Sequence, residues 1–382
     1  MSQLPSPDAV AAAHSERLRA VIAQTIRAAG GWIPFARYME LALYAPGLGY
    51  YAAGAAKLGA GGDFVTAPEI SPLFGQTLAR PMAHVLDAVG GGVLELGAGS
   101  GRLARDLLRG LDAQGSCPAQ YLILEVSPDL RARQQATLAD AGLRERVQWI
   151  DRLPERFSGV VVANEVFDAL PVHVIEWRDD GVVERGVALD GDAFAWAARP
   201  VADAGLAAAA VAIDVPRPYR SEISLAGPAL MKSLGETLAQ GAVLVIDYGF
   251  PAREYYHPQR SQGTLMCHYR HRAHGDPFLH PGLADITAHV DFSALADAAH
   301  GAGLDILGYT SQAGFLIDCG ITGLLAATPA EQAGRYLPLA AGVQKLVSPA
   351  EMGEIFKVLG LGRGMPRPLP GFRQGDRTAS LG

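Results

Sequence analysis

The sequence has few charges, few cysteines and no excess of positive charge. Only 19% of its 382 residues are charged and 49% are hydrophobic, which is typical of a chain with a large folded core. Its 32 basic residues are outnumbered by 39 acidic ones, giving a net charge of −7. Because proteins that bind nucleic acid usually hold the phosphates with a basic surface, this balance predicts no nucleic-acid partner.

The three cysteines, Cys117, Cys267 and Cys319, form no CxxC pair and have no metal-ligand spacing. We therefore expect reduced thiols and no metal site. The N-terminal residues do not show a basic start followed by an apolar stretch, and no apolar run is long enough to span a bilayer. The sequence therefore predicts a soluble cytoplasmic protein without a membrane span.

The first ninety residues predict helices followed by a glycine-rich loop. Apolar residues recur at helical spacing over residues 16–29, and a pair of glycines ends this segment. Residues 33–43 predict a second helix. Residues 54–62 are rich in glycine, so we expect this segment to be mobile.

From Val93 onward, short apolar strands alternate with helices. The predicted strands cover residues 93–96, 121–125, 147–150, 160–163, 243–247 and 354–359. The predicted helices among them cover residues 101–111, 128–141 and 228–239. This alternation predicts an α/β fold with a doubly wound, mostly parallel sheet covered on both faces. Two insertions interrupt it: residues 172–201 predict antiparallel hairpins, and residues 249–283 predict an irregular segment.

The most informative motif lies between the first of these strands and its helix, where an acid precedes three glycines. It reads Glu95-Leu-Gly97-Ala98-Gly99-Ser-Gly101. Glycines there allow a ligand to approach the backbone closely. A dinucleotide loop would have its third glycine where Arg102 stands, so NAD is disfavoured. The pattern instead favours S-adenosylmethionine, which has no phosphate, with Glu95 facing its cationic methionine end.

Acids also follow the next two strands. Glu125, with Val126 beside it, ends the second strand, where a carboxylate can accept both hydroxyls of a cofactor ribose. This holds for NAD as well, so Glu125 does not distinguish the two cofactors. Asp151 follows the third strand, where an adenine amino group would lie. A solvated turn acid explains Asp151 equally well.

The fourth strand ends at Asn164, with Glu165 next and Asp168 soon after. Ligands of open α/β sheets bind at the carboxyl ends of the strands, so these residues fall near the reacting methyl group. Two acids there could bind a cationic or amine-bearing substrate. The alternative is that they cap the following helix.

Several longer motifs resemble the MidA-like methyltransferases, a family that includes a mitochondrial arginine methyltransferase and bacterial proteins. The resemblance extends from about residue 38 to 359 and rests on these motifs: Gly62-Asp-Phe-Val-Thr66-Ala-Pro68-Glu69-Ile-Ser71, the glycine loop, Leu124-Glu125-Val126-Ser-Pro128, Ala163-Asn164-Glu165-Val-Phe-Asp168-Ala-Leu-Pro-Val-His173, Ile246-Asp247-Tyr-Gly249, Gly263-Thr-Leu265, Asp285-Ile-Thr-Ala-His289-Val-Asp291 and Phe356-Lys-Val-Leu359. One departure is Val166, where the family often has an aromatic residue.

The resemblance implies a class I methyltransferase (Rossmann-like) sheet of seven strands with S-adenosylmethionine as the methyl donor. It implies a helical region with a cofactor lid over residues 1–90, a methyltransferase domain over 91–360 and a tail over 361–382. The inserts of that domain would cover 172–215 and 249–284. Thr66, Pro68 and Glu69 would belong to the lid, with Glu69 near the amino group of the cofactor.

The resemblance also implies a protein arginine as the methyl acceptor. A guanidinium needs carboxylates to hold and steer it, and Glu165 with Asp168 are the candidates. Asp247 lies at the same predicted edge. Asn164 is expected both to contact the cofactor and to take part in catalysis. His289 could be a base, although a structural role explains it as well. Other possibilities are a small-molecule acceptor, or an assembly protein that binds the cofactor with little turnover.

Overall fold

The computed structural model describes residues 4–53 and 66–382, so the predicted glycine-rich loop over 54–62 lies outside the described residues. The strands are β1 (Trp32–Pro34), β2 (Gly92–Leu96), β3 (Tyr121–Leu124), β4 (Val147–Ile150), β5 (Phe157–Asn164), β6 (His173–Arg178), β7 (Gly181–Asp190), β8 (Ala193–Pro200), β9 (Tyr219–Ile223), β10 (Leu238–Phe250), β11 (Met266–Tyr269), β12 (Arg272–His274), β13 (Asp285–Thr287), β14 (Val290–Asp291), β15 (Asp305–Ser311) and β16 (Phe356–Arg363).

Helices connect and cover these strands. They are α1 (Ala9–Ala28), α2 (Phe35–Tyr44), α3 (Ala67–Ile70), α4 (Pro72–Val89), α5 (Arg102–Ala113), α6 (Pro128–Asp140), α7 (Ala204–Ala212), α8 (Ala226–Thr237), α9 (Ala252–Tyr255), α10 (Phe292–Gly301), α11 (Gln312–Asp318), α12 (Ile321–Ala326), α13 (Ala333–Val347) and α14 (Met352–Ile355). Among the residues described, no helix has both the length and the apolar character needed to cross a membrane.

The chain forms two compact units, each built from separated segments. The described part of the first unit contains residues 4–53, 168–228 and 252–291, and that of the second contains 66–167, 229–251 and 292–382. This division differs from the three parts expected from the sequence. Helix α4 belongs with the sheet of the second unit because it packs on α5. The predicted tail also belongs there, since Phe372 packs on Phe315.

The second unit contains the predicted doubly wound sheet. Its strand order is β15-β16-β10-β5-β2-β3-β4. Strands β10, β5, β2, β3 and β4 run parallel, and β16 runs antiparallel to both of its neighbours. This seven-stranded order confirms the predicted class I methyltransferase fold. Val160, Val161 and Val162 are all fully buried, as expected for a strand covered on both faces.

The start of helix α6 follows directly from its sequence. Ser127 caps it by accepting a hydrogen bond from the Leu130 N–H, and Pro128 occupies the first helical position. Strand β3 therefore ends and α6 begins within a few residues, with Glu125 between them. The sequence predicted the Ser127 cap and the position of Pro128, and the structure confirms both.

The first unit contains the predicted antiparallel hairpins. Strands β6, β7 and β8 pair in sequence, and the wider sheet has the order β1-β7-β6-β9. Helix α1 buries one stripe of residues spaced by four, Leu18, Ile22 and Ile26.

Two predictions for the first unit were wrong. The second helix does not begin at Ile33, because Ile33 lies in strand β1 opposite Val187. Residues 249–283 are not wholly irregular, because β11 lies between β12 and the later strand β13 in a small sheet. At Ile33, pairing with a strand distant in the sequence outweighs the local pattern.

Candidate functional site

The glycine loop turns sharply at the carboxyl end of β2. Gly97, Gly99 and Gly101 all have positive φ angles, of 60°, 52° and 81°. Side chains other than glycine rarely adopt this conformation, so the spacing of the glycines reflects the backbone path. A Cβ atom at Gly101 would lie 3.0 Å from the Cα atom of Gln134. The loop is therefore packed closely against α6, and Ala98 in it is buried.

Glu95 lies within β2 and is almost fully buried. Its Oε2 atom accepts a hydrogen bond of 2.6 Å from the phenol of Tyr121. Burial raises the pKa of Glu95 to about 7, and the Tyr121 hydrogen bond opposes that shift. The structure therefore gives Glu95 a protein partner. Its predicted contact with the cationic end of the cofactor stays a prediction.

Glu125 lies at the end of β3 with its carboxylate buried. Oε1 accepts a hydrogen bond of 2.9 Å from the Ser127 N–H, and Oε2 accepts one of 2.9 Å from the Gln134 side chain. Burial raises the pKa of Glu125, and these donors oppose the shift. The adjacent Val126 is 72% exposed, which leaves an apolar side chain beside the carboxylate for a ligand to cover.

Gln134 is a site residue that the sequence reasoning missed. It is fully buried on α6 and donates both to Glu125 and, over 3.2 Å, to the Gly99 carbonyl. It also accepts a hydrogen bond of 2.8 Å from the indole of Trp149 on β4. The available signal was its spacing: Leu130, Gln134 and Leu138 recur every four residues, so a polar residue interrupts an apolar stripe.

A cavity of about 600 Å³ lies at the end of β4, a volume in the range of small-molecule sites. The predicted adenine residue Asp151 lines it, together with Leu122, Arg131, Trp149, Ile150, Arg152, Leu153, Pro154 and Glu155. Trp149 connects this cavity to Gln134 and through it to Glu125. The structure therefore brings together the predicted ribose and adenine residues.

The residues assigned to the lid lie at α3. Thr66 precedes this short helix, and Pro68 is buried within it. Glu69 is bound to the glycine loop: the Ser100 hydroxyl donates to its Oε1, and the Arg102 guanidinium lies 3.2 Å from its Oε2. Helix α3 is thus held over the loop by its own carboxylate, and the contact of Glu69 with the amino group of the cofactor stays a prediction.

The carboxyl end of β5 has an unusual backbone. Glu165 has a φ of 53°, in the left-handed region. Such strain is a recognised feature of functional sites. Its Oε1 accepts hydrogen bonds from the Ala67 N–H over 3.3 Å and from the Asn164 amide over 3.2 Å. The Oδ1 of Asn164 is buried and has no hydrogen-bond partner within the described part of the chain.

Asp247 lies on β10, the strand that pairs with β5, directly after the partner of Asn164. It is fully buried. One of its oxygens accepts from the N–H groups of Val166 and Phe167, over 3.1 and 2.9 Å, and the other from its neighbour Tyr248 over 3.0 Å. Backbone donors therefore engage both oxygens. This geometry favours a role in holding the loop after β5 over direct contact with a substrate.

Two predicted catalytic residues belong to the first unit. The Asp168 carbonyl accepts a hydrogen bond of 3.0 Å from the Ala288 N–H. The backbone N–H of the adjacent His289 donates to the Thr264 hydroxyl over 3.0 Å. The Thr264 hydroxyl in turn donates to the buried Glu222. The fold thus brings Asp168 and His289 close in space, although they are far apart in sequence. Their catalytic roles stay predictions.

These residues fit an adenosyl cofactor. The glycine loop has no side chain at three positions, Glu125 presents a buried carboxylate, and the cavity beside Asp151 has room for a base. The buried Oδ1 of Asn164, which no donor among the described residues engages, leaves a position for a ligand donor. Across residues 4–53 and 66–382, no group of three or more His, Cys, Asp or Glu side chains is placed to hold a metal ion.

Comparisons with known proteins agree with this geometry. A family model described as "Putative S-adenosyl-L-methionine-dependent methyltransferase" matches residues 77–310. The mouse mitochondrial protein arginine methyltransferase NDUFAF7 is 32% identical over 87% of this chain and 81% of its own length. Its Drosophila melanogaster homologue is 31% identical over 91% of this chain and 84% of its own length.

A solved structure is more similar still. A relative from Burkholderia thailandensis, crystallised with S-adenosyl-homocysteine, is 54% identical. It superposes with a TM-score of 0.96 over 99% of this chain and 100% of its own.

Proposed function

The chain belongs to the MidA-like family of S-adenosylmethionine-dependent methyltransferases, and we propose that it methylates an arginine side chain of a protein. S-adenosylmethionine is the methyl donor of this family, and the relative from Burkholderia thailandensis binds the demethylated product of that donor. The observation that carries the arginine proposal is the 31–32% identity to protein arginine methyltransferases over more than 80% of their length. The acceptor protein and the cytoplasmic location stay predictions.

The glycine loop and Glu125 would hold the adenosyl part of the cofactor. When bound, the cofactor supplies a methyl group already activated by a sulfonium. The protein therefore needs mainly to position the acceptor and to shape the local field. Residues for that task are expected at the carboxyl ends of β5 and β10, as in other open α/β sheets.

At this edge, Glu165 is the carboxylate best suited to an arginine. A guanidinium presents five N–H donors and no acceptor, so it pairs well with a carboxylate. The left-handed backbone of Glu165 and the amide of Asn164 fix that carboxylate in place. Asp247 supports the loop by accepting from its backbone N–H groups. Glu165 would therefore orient the acceptor, and Asp247 would keep the backbone next to Glu165 in position.

The test is methyl transfer to matched peptides. The purified chain is incubated with radiolabelled S-adenosylmethionine and with peptides that differ only in carrying Arg, Lys or Gln at one position. We expect label in the Arg peptide alone, recovered as methylarginine after hydrolysis. Label in the Lys peptide, or equal label in all three, would contradict an arginine acceptor.

A second assay covers acceptors that short peptides do not represent. Protein and small-molecule fractions of a bacterial extract are offered separately, with the Gly99→Val variant as the control for cofactor-dependent labelling. Methylarginine in the protein fraction supports the proposal. Label only in small molecules would overturn it in favour of a small-molecule methyltransferase.

A further inference from the structure

The buried Gln134 occupies a place where packing alone would favour an apolar residue. Helix α6 buries only Gln134 and Leu138 completely, and its other face is exposed. Burying a primary amide is costly unless its donors and acceptor are all satisfied. Each of the contacts that satisfy Gln134 leads to a different part of the candidate cofactor site.

The orientation of the Gln134 amide is fixed by chemistry. The Trp149 indole can only donate, so the atom that faces it must be the amide oxygen. The amide nitrogen must then face Glu125 and the Gly99 carbonyl, both of which are acceptors. Rotating the amide would place donor against donor and acceptor against acceptor. Trp149 therefore aims the two N–H groups of Gln134 at the site.

The contact with Glu125 affects which hydrogen bonds that acid can make. An ionised carboxylate accepts about four hydrogen bonds, and Glu125 receives them from the N–H groups of Ser127 and Val126 and from the Gln134 side chain. The carboxylate thus retains capacity for a hydroxyl of the ligand. Because Gln134 and Ser127 hold the two oxygens from the protein side, the carboxylate has a defined orientation before a ligand binds.

The hydrogen bond from Gln134 to the Gly99 carbonyl positions the glycine loop in the same way. Gln134 ties the carbonyl of this central glycine to the acid at the end of the neighbouring strand. The close approach of Gly101 to the Gln134 backbone fixes α6 against the loop at a second point. One side chain therefore sets the separation between the loop and Glu125.

We propose that Gln134 is a positioning residue that makes the site selective for an intact ribose diol, by aiming the Glu125 carboxylate and the Gly99 carbonyl. The proposal rests on the proposed function only in taking an adenosyl compound as the ligand. It does not depend on which group accepts the methyl. Gln134 acts through Glu125, so its removal should weaken recognition of the hydroxyls and leave the rest of the adenosyl contacts in place.

The experiment is a binding cycle between one side chain and one ligand group. Calorimetry measures the affinity of the wild-type chain and of Gln134→Leu for S-adenosyl-homocysteine and for its 2′,3′-dideoxy analogue. Because hydrogen bonds to charged groups contribute about 1.5–3 kcal/mol each, the wild type should prefer the intact ligand about 100-fold or more. In Gln134→Leu that preference should fall at least tenfold, with the affinity for the analogue changing less than about threefold.

Two further variants keep the result interpretable. Gln134→Met has nearly the same length, introduces no charge and has no N–H donors, so it should show the same loss of preference even if the Leu variant folds poorly. Gln114→Leu is the matched control. Gln114 is an exposed glutamine that donates to the Gly110 carbonyl over 3.1 Å on α5, so neither affinity should change.

A merely structural Gln134 gives a different pattern. If both ligands lose affinity by the same factor, or if neither does, the positioning role is overturned. A folded wild-type chain that binds neither ligand overturns this proposal and the cofactor assignment together. Failure to methylate arginine alongside an intact binding cycle would overturn only the acceptor.

Discussion

Two buried carboxylates at the carboxyl edge of one sheet are used in different ways. Glu125 accepts hydrogen bonds from backbone N–H groups, among them that of Ser127, and from a side chain, that of Gln134. The backbone N–H groups of Val166, Phe167 and Tyr248 donate to Asp247. What these donors belong to separates the two carboxylates: those of Asp247 hold the loop after β5, and the Gln134 side chain joins Glu125 to the glycine loop. Burial alone does not separate them, since both are less than 10% exposed.

The largest effect is expected at Asp247. Its replacement in Asp247→Ala leaves three backbone N–H groups without their acceptor, at a cost of about 1–3 kcal/mol for each buried group. The free energy of unfolding in urea should fall by about 4 kcal/mol. Asp112→Ala is the control, because Asp112 is exposed and its ion pair with Arg146 should contribute less than about 1 kcal/mol. Equal losses in both variants would contradict the role of Asp247 in holding the loop after β5.

The next effect is expected at Glu165. The Glu165→Gln substitution keeps an acceptor for Ala67 and Asn164 and removes only the charge. Methyl transfer to the arginine peptide should fall about 100-fold, as for other groups that stabilise a developing charge. Binding of S-adenosyl-homocysteine and the unfolding free energy should stay near the wild-type values. Glu145→Gln, at an exposed position, is the control; a Glu165→Gln rate as high as that of this control would assign Glu165 a structural role only.

The smallest effect is expected at Glu95, one strand away from Glu125. Burial raises its folded pKa from the ordinary 4.5 to about 7, so the folded state favours the protonated acid. The stability that this gives is present below pH 4.5 and is lost as the pH rises through 7. The unfolding free energy of the wild type relative to Glu95→Gln should therefore fall by about 2 kcal/mol between pH 5 and pH 7.5. Parallel pH curves for the two proteins would refute a raised pKa.

The sequence predicted the second unit well because its signals are local. Short apolar strands alternate with capped helices, and the glycines of the loop stand where the backbone has a positive φ. The acids at the strand ends were predicted because the carboxyl ends of parallel strands lie at one edge of the sheet. Strand β1 was missed because its partner β7 lies about 150 residues away in the sequence, and no local pattern records that pairing.

The functions of individual site residues were harder to predict. Asp247 was grouped with the substrate residues because its position in the sheet was right, but its hydrogen-bond partners depend on the loop after β5. Gln134 was overlooked because a glutamine in a helix is ordinary until its burial is known. In both cases the tertiary contacts, and not the residue type, decide the role.

The central claim, that the glycine loop and Glu125 bind an adenosyl cofactor, is tested most directly by calorimetry with S-adenosylmethionine. The wild type should bind with micromolar affinity, and Gly99→Val should lose at least about 100-fold because its side chain enters the space beside the loop. Gly115→Val controls for backbone strain, since Gly115 also has a positive φ, of 71°, and faces open space. Its affinity should equal that of the wild type. A Gly99→Val chain that binds as tightly as the wild type, or a folded wild type that binds NAD instead, would contradict the account.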